Sequence, residues 1–289
     1  MTTLKSPHPL PAKTAIGRVH LTISDLDHAV DFYSDVLGFQ EISRKDGVAQ
    51  LGAGGPELLR LSENPSAKPA PGHTGLYHFA ILMPSRRLLA ASLQHLIETQ
   101  YPIQGAADHL VSEAIYLPDP DGNGLELCRD RARDKWPTRD GGLHMDNAPL
   151  DYQGLLDAHQ SEPEPWSGLH ADTIIGHIHL HVANIPAAET FYRELLGFDR
   201  MLTWQRSASF LSAGGYHHHI GINTWGTAGA PPPPPNSLGL RAFTIQLPSK
   251  SDVKAVAERL HTVELDFDET EQGLRIHDPS KNGILITAD

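Results

Sequence analysis

Apolar and polar positions alternate along AIGRVHLTISDL, residues 15–26, where Val19, Leu21 and Ile23 are set between His20, Thr22 and Ser24. That period-two pattern predicts a strand. Beyond it the spacing becomes helical: Ala29, Val30, Phe32, Tyr33, Val36 and Leu37 share one face, Asp25 or Asp27 can cap the start, and Gly38 suits the stop. Three strand-like runs follow, FQEIS, VAQLGA and ELLRLS. Residues 15–63 therefore read as one β-α-β-β-β unit.

The pattern restarts at Leu76. LYHFAILMP predicts a strand, SRRLLAASLQHLIE an amphipathic helix capped by Ser85, and residues 103–128 the closing strands. The last of these, Ala114–Cys128, reads AIYLPDPDGNGLELC, two strands around a tight turn. With the turn centred on Asp121–Gly122, Tyr116 lies opposite Glu126 or nearly so, and directly opposed residues share a face. Glu126 sits between Leu125 and Leu127, where an unpaired carboxylate is costly. It needs a cation, a hydrogen-bond network or a metal.

The opening then repeats. IIGHIHLHVANIPAAETFYRELLGF, residues 174–198, lies on residues 15–39 at a constant separation of 159 positions, matching Gly17 with Gly176, His20 with His179, Tyr33 with Tyr192 and Gly38 with Gly197. LRAFTIQLPS (240–249) lies on LYHFAILMPS (76–85), and LRIHDPSKNGILIT (274–287) on IYLPDPDGNGLELC (115–128). An ordered series of matches marks an internal repeat. It predicts a mobile arm over 1–14, a first domain of two units over 15–130, a linker over 131–172 and a second homologous domain over 173–289. The linker carries Trp136, His144, a helix near Asp151–His159 and a proline/glutamate-rich stretch around 163–165. Pro231–Pro235 predicts a stiff external loop.

Charge and composition narrow the function classes. Net charge is −12 and no lysine/arginine block suggests nucleic-acid binding. No apolar run is long enough to span a membrane and the N-terminus lacks the apolar core of a signal peptide. Cys128 is the only cysteine, which excludes an intrachain disulfide, fits a reducing cytoplasm and predicts a small core residue on the Glu126 face. The 18 histidines matter only through their positions.

HLTISDL, FYSDVLGF and DPDGNGLEL together resemble the vicinal oxygen chelate superfamily of glyoxalases, bleomycin resistance proteins and extradiol dioxygenases, over nearly the whole chain. Within it the resemblance is to the two-domain catechol 2,3-dioxygenases of Bacillus type. It implies an α+β fold in which paired βαβββ units form curved, cup-like mixed sheets around a divalent metal. His20, His78 and Glu126 then fall at the ligand positions, a two-histidine, one-carboxylate set suited to Fe(II) or Mn(II) with open positions for a small aromatic diol and O₂. A lone strand histidine is more often a packed, hydrogen-bonded residue than a ligand, so the combination carries the reading. The second domain keeps His179 but has Ala242 for His78 and Leu285 for Glu126, and is expected to be a degenerate copy that buttresses or shapes the site.

The resemblance gives Tyr116 the role of binding the substrate oxygen and His109 that of proton transfer. A second acid–base histidine of the family has no match: Asn64 stands near its place, with His73 beyond it. In YHHHIGINTW the alternation puts His217 and His219 on one face of a strand and His218 on the other. The alternatives are a glyoxalase-type isomerase, lyase or thiol transferase, which would need a fourth ligand where Arg60 and Leu61 stand, and a non-catalytic small-molecule-binding protein. Self-association is open.

Overall fold

A computed structural model describes residues 3–160 and 166–288; the proline/glutamate-rich stretch at 163–165 lies outside them. The four units are all present. Unit one contains β1 (Ala15–Ile23), α1 (Leu26–Asp31), β2 (Gln40–Lys45), β3 (Val48–Gly52) and β4 (Glu57–Glu63). Unit two contains β5 (Gly75–Leu82), α2 (Arg86–Glu98), β6 (Gly105–Asp108), β7 (Ser112–Pro118) and β8 (Gly124–Asp130). The linker forms a small hairpin, β9 (Thr138–Arg139) with β10 (Gly142–Leu143), and helix α3 (Tyr152–Gln160). Unit three contains β11 (Ile174–His181), α4 (Ile185–Glu189), β12 (Asp199–Trp204), β13 (Ala208–Ser212) and β14 (Ile220–Asn223). Unit four contains β15 (Gly239–Leu247), α5 (Lys250–Thr262), β16 (Asp268–Thr270), β17 (Gly273–His277) and β18 (Gly283–Ala288).

The helices start where the sequence predicts. Asp25 accepts from His28 N, and Ser85 from Leu88 N. The first helix continues past Asp31 as a π-helical turn, Phe32–Val36, and unit three repeats this over Thr190–Leu196. Among the described residues no helix is long and apolar enough to cross a membrane.

The units pair in an order that the repeat does not announce. One eight-stranded sheet runs β16-β17-β18-β15-β1-β4-β3-β2 and the other β12-β13-β14-β11-β5-β8-β7-β6. Units one and four thus share a sheet, and units two and three share the other. Each sheet is mixed: β5 pairs antiparallel with β11 and parallel with β8. The α+β fold of two paired-unit sheets is as expected, but the boundary near residue 130 does not divide the sheets. The second half shapes the site by continuing its sheet, since unit three completes the sheet of unit two. The apolar faces of both sheets, including Val19, Leu21 and Phe243 from one and Phe79, Ile178 and Leu180 from the other, merge with the helices into one buried cluster.

The residues that reveal the repeat are largely structural. The Tyr33 hydroxyl donates to Asp119 Oδ2 at 2.9 Å, and Asp119 also accepts from the backbone and side chain of Asn123. Tyr192, Asp278 and Asn282 reproduce the arrangement, with Tyr192 donating at 3.0 Å. Each clamp ties a helix in one sheet's unit to a hairpin in the other sheet's unit. The glycine of each Asn-Gly pair answers a close approach: a Cβ on Gly124 would lie 2.0 Å from the Tyr77 carbonyl oxygen, and one on Gly283 would lie 2.2 Å from that of Arg241. Tyr33→Phe leaves the buried Asp119 short of a donor. It is expected to lower stability by about 1–3 kcal/mol in urea unfolding while leaving metal content unchanged; equal midpoints would rule the clamp out.

The N-terminal arm is docked rather than mobile. Leu4 bridges Arg200 on β12, Ser6 N donates to the buried Asp199, and Leu10 is buried. This backbone pairing caps an otherwise open sheet edge.

Candidate metal centre

Three adjacent strands, β11, β5 and β8, bring His177, His78 and Glu126 together on one face of the second sheet. Glu126 Oε2 lies 3.0 Å from His78 Nε2 and 3.1 Å from His177 Nε2, and the two imidazole nitrogens are 3.4 Å apart. All three side chains are buried, Glu126 to 2% exposure. Burial alone would raise the Glu126 pKa, but the charge and hydrogen bonds of His177 and His78 outweigh it and hold the carboxyl well below its ordinary range. Burial lowers the His78 pKa, against the opposing pull of Glu126. The buried His177 Nδ1 has no partner among the described residues.

This donor set fits a divalent metal. Two neutral imidazoles and one carboxylate, each offering an atom within 4.8 Å of the others, leave one side of an ion open. No fourth histidine, cysteine, aspartate or glutamate joins the group among the described residues. That is the three-ligand arrangement, not the four-ligand one of the glyoxalase-type alternative.

The structure brings His78 and Glu126 together and places His20 elsewhere. His20 lies on β1 in the other sheet, opposite Ala242, with its Nε2 2.8 Å from Ser62 Oγ. Its repeat partner His179 lies opposite His78, in the equivalent register of the metal sheet. His179 packs against Tyr77, His78 and Trp225 and lines the cavity, yet it is not one of the clustered ligands. The third ligand position belongs to His177, two residues earlier on the same strand, where unit one carries Arg18. Register shifts on either side of His177 and His179 mark bulges in β11, which re-aim side chains. Strand alternation puts His177, His179 and His181 on one face. The signal missed was that a ligand can lie where the copies differ rather than where they agree.

A cavity of about 540 Å³ opens over the metal face, a volume ordinary for a small-molecule site. Leu202, Trp204, Phe210 and Trp225 from unit three form an apolar wall. Linker residues Met145–Pro149 contribute to the lining; Trp136 and His144 do not. Trp136 packs instead on Tyr216 and His217. Cys128 is buried with Ala80 and Ala114, as expected of a small core residue.

Tyr116 and His109 meet in this cavity. Tyr116 pairs with Glu126 in the β7–β8 register, as the hairpin predicts. Its hydroxyl is 2.6 Å from His109 Nε2, and His109 Nδ1 is 3.2 Å from the Asp146 carbonyl. A carbonyl only accepts, so His109 Nδ1 carries a hydrogen, and in the Nδ1–H tautomer Nε2 accepts from the tyrosine hydroxyl. Burial and then the nearby Glu126 charge raise the Tyr116 pKa well above its ordinary value, which keeps the phenol protonated as a donor.

His218 is a cavity residue whose orientation the strand alternation does not give. Residues 217–219 form a bend before β14, not a strand, so adjacent histidines touch. His217 Nε2 is 2.9 Å from Asp130 Oδ1, and His217 Nδ1 is 2.8 Å from His218 Nδ1. The carboxylate requires a hydrogen on His217 Nε2. One of the two facing Nδ1 atoms donates and the other accepts; in the tautomer where His218 donates at Nδ1, its Nε2 is left unprotonated. The His218 ring centroid is 4.1 Å from that of His177. Burial, followed by His177 and His217, lowers the His218 pKa well below its ordinary value. Asn64 and His73 line a separate polar cleft, near the proline run.

The chain belongs to the glyoxalase/bleomycin resistance protein/dioxygenase superfamily, whose family model matches residues 15–127 and 174–277. It is 46% identical to a catechol-2,3-dioxygenase of Bacillus subtilis (strain 168) over 279 residues, 95% of this chain and 96% of that one. Among solved structures, a putative dioxygenase of Bacillus subtilis superposes with a TM-score of 0.64 at 14% identity, covering 97% of this chain and 86% of that one. Glyoxalase I of Zea mays superposes with a TM-score of 0.58 at 14% identity, covering 96% and 92%. The last two show a shared fold.

Proposed function

We propose that the protein is an extradiol dioxygenase, opening the ring of a catechol-type diol with O₂ at Fe(II) or Mn(II) held by His78, Glu126 and His177. The observation that carries this reading is the buried three-ligand cluster beneath a cavity that also holds Tyr116 and His109, in a chain so similar to a catechol-2,3-dioxygenase. When bound, the metal lowers the pKa of the two adjacent hydroxyls and offers open positions to them and to O₂.

The side chains do the rest. The aromatic wall of Trp204, Phe210 and Trp225 offers apolar surface against which a flat ring packs. Unprotonated His218 Nε2 accepts a proton from a substrate hydroxyl, and the Asp130–His217 pair fixes the ring and stabilises the positive charge that results. Tyr116 donates to a substrate oxygen, turning from His109, which then holds or returns a proton at Nε2.

The test is metal analysis of anaerobically purified protein with oxygen uptake and ring-fission product measured on catechol. One equivalent of iron or manganese and catechol-dependent uptake, both lost on chelation and restored by the metal, are expected. Metal-free protein with full uptake would end the reading.

A further inference from the structure

The sheet of units one and four carries its own cavity, of about 270 Å³, at the pseudo-equivalent place. Arg18 stands there for His177, Ala242 for His78, Leu285 for Glu126 and Arg275 for Tyr116, and all four line it. The register is preserved: Arg275 opposes Leu285 as Tyr116 opposes Glu126. The metal ligands of one cup are replaced in the other by cationic and apolar side chains.

Arg60 and Arg241 also line this cavity. Arg18 and Arg60 are mostly buried and share Glu57, with contacts of 2.7 to 2.8 Å. Arg241 and Arg275 are exposed on their strands and make no ion pair among the described residues. No carboxylate is among the residues that line the cavity with the four guanidinium groups; Glu57 pairs with Arg18 and Arg60 from outside it, and Asp268 lies across the β16–β17 pair from Arg275. His20 registers the resulting field: burial, then Arg241, Arg60, Arg18 and Arg275, lower its pKa to about 3. Unneutralised like charges repel one another, and guanidinium forks match the paired oxygens of carboxylates and phosphates.

We propose that this cup binds a compact oxyanion, a small carboxylate or phosphate, through Arg18, Arg60, Arg241 and Arg275. The volume lies below the roughly 300–1,000 Å³ of drug-sized sites, which limits the ligand to a small one. The assignment does not depend on the ring-cleavage reading, and its test does not read activity.

Titration calorimetry on the full metal-loaded chain at low ionic strength tests it, with inorganic phosphate and succinate as separate probes. Saturable one-to-one binding of either, with a Kd of about 1 mM or tighter, is expected and identifies the anion class. Binding should weaken by about tenfold or more in the double variant Arg241→Gln/Arg275→Gln, which removes two charge-assisted contacts. Glu57→Gln, which frees Arg18 and Arg60, should tighten it. The variants' thermal unfolding midpoints and metal contents establish that they are folded. No saturable heat with either probe, or unchanged affinity in the folded double variant, overturns the proposal.

Discussion

Replacing His177 by alanine is expected to strip the protein of its metal and lower catechol-dependent oxygen uptake by more than about 100-fold, since even residues that only support metal ligands cost 10–100-fold when lost. His20→Ala should retain its metal in full. The contrast separates two residues two positions apart in the repeat pattern. His177 Nε2 is 3.1 Å from Glu126, whereas His20 lies on a strand of the other sheet, facing Ala242 and bonded to Ser62. Metal content of the purified variants decides between them. A His20→Ala protein without metal beside a fully loaded His177→Ala protein would reverse the ligand assignment.

His218→Asn should leave the metal bound and lower kcat by about 10²–10⁴-fold, the range of a lost general base. Asparagine preserves a polar side chain of similar reach but cannot accept and release a proton. His217→Asn acts through its neighbour: without the His217–Asp130 pair, His218 loses the hydrogen-bond partner that fixes its tautomer. Its kcat should fall less, with the pH–rate profile displaced. Turnover of metal-replete His218→Asn at the unsubstituted rate would remove His218 from the chemistry.

Much of the site is legible in the chain. An isolated carboxylate between two leucines asks for a partner, and the hairpin register puts Tyr116 across from it; both hold in the structure. His78 could be placed because unit four lacks it while keeping the strand around it. His177 was harder because the repeat rewards identity. Gly176 and His179 match their copies, but His177 aligns with Arg18, and that mismatch carries the third ligand. His218 was illegible because its position depends on a bend that breaks the alternation.

What the sequence determined by itself is local and periodic: four β-α-β-β-β units, their caps and turns, and the hairpin that presents Glu126. What only the tertiary structure decided is which units share a sheet. Strands β1 and β11 have nearly the same alternation and the same glycine and histidine, so period-two patterning cannot say which of them β5 will join. That choice is made by long-range burial. The apolar faces of both sheets must close one core, the Tyr33–Asp119 clamp must span them, and the arm must cover β12. By setting β11 beside β5, the fold gives the metal cup His177 and leaves His20 among arginines.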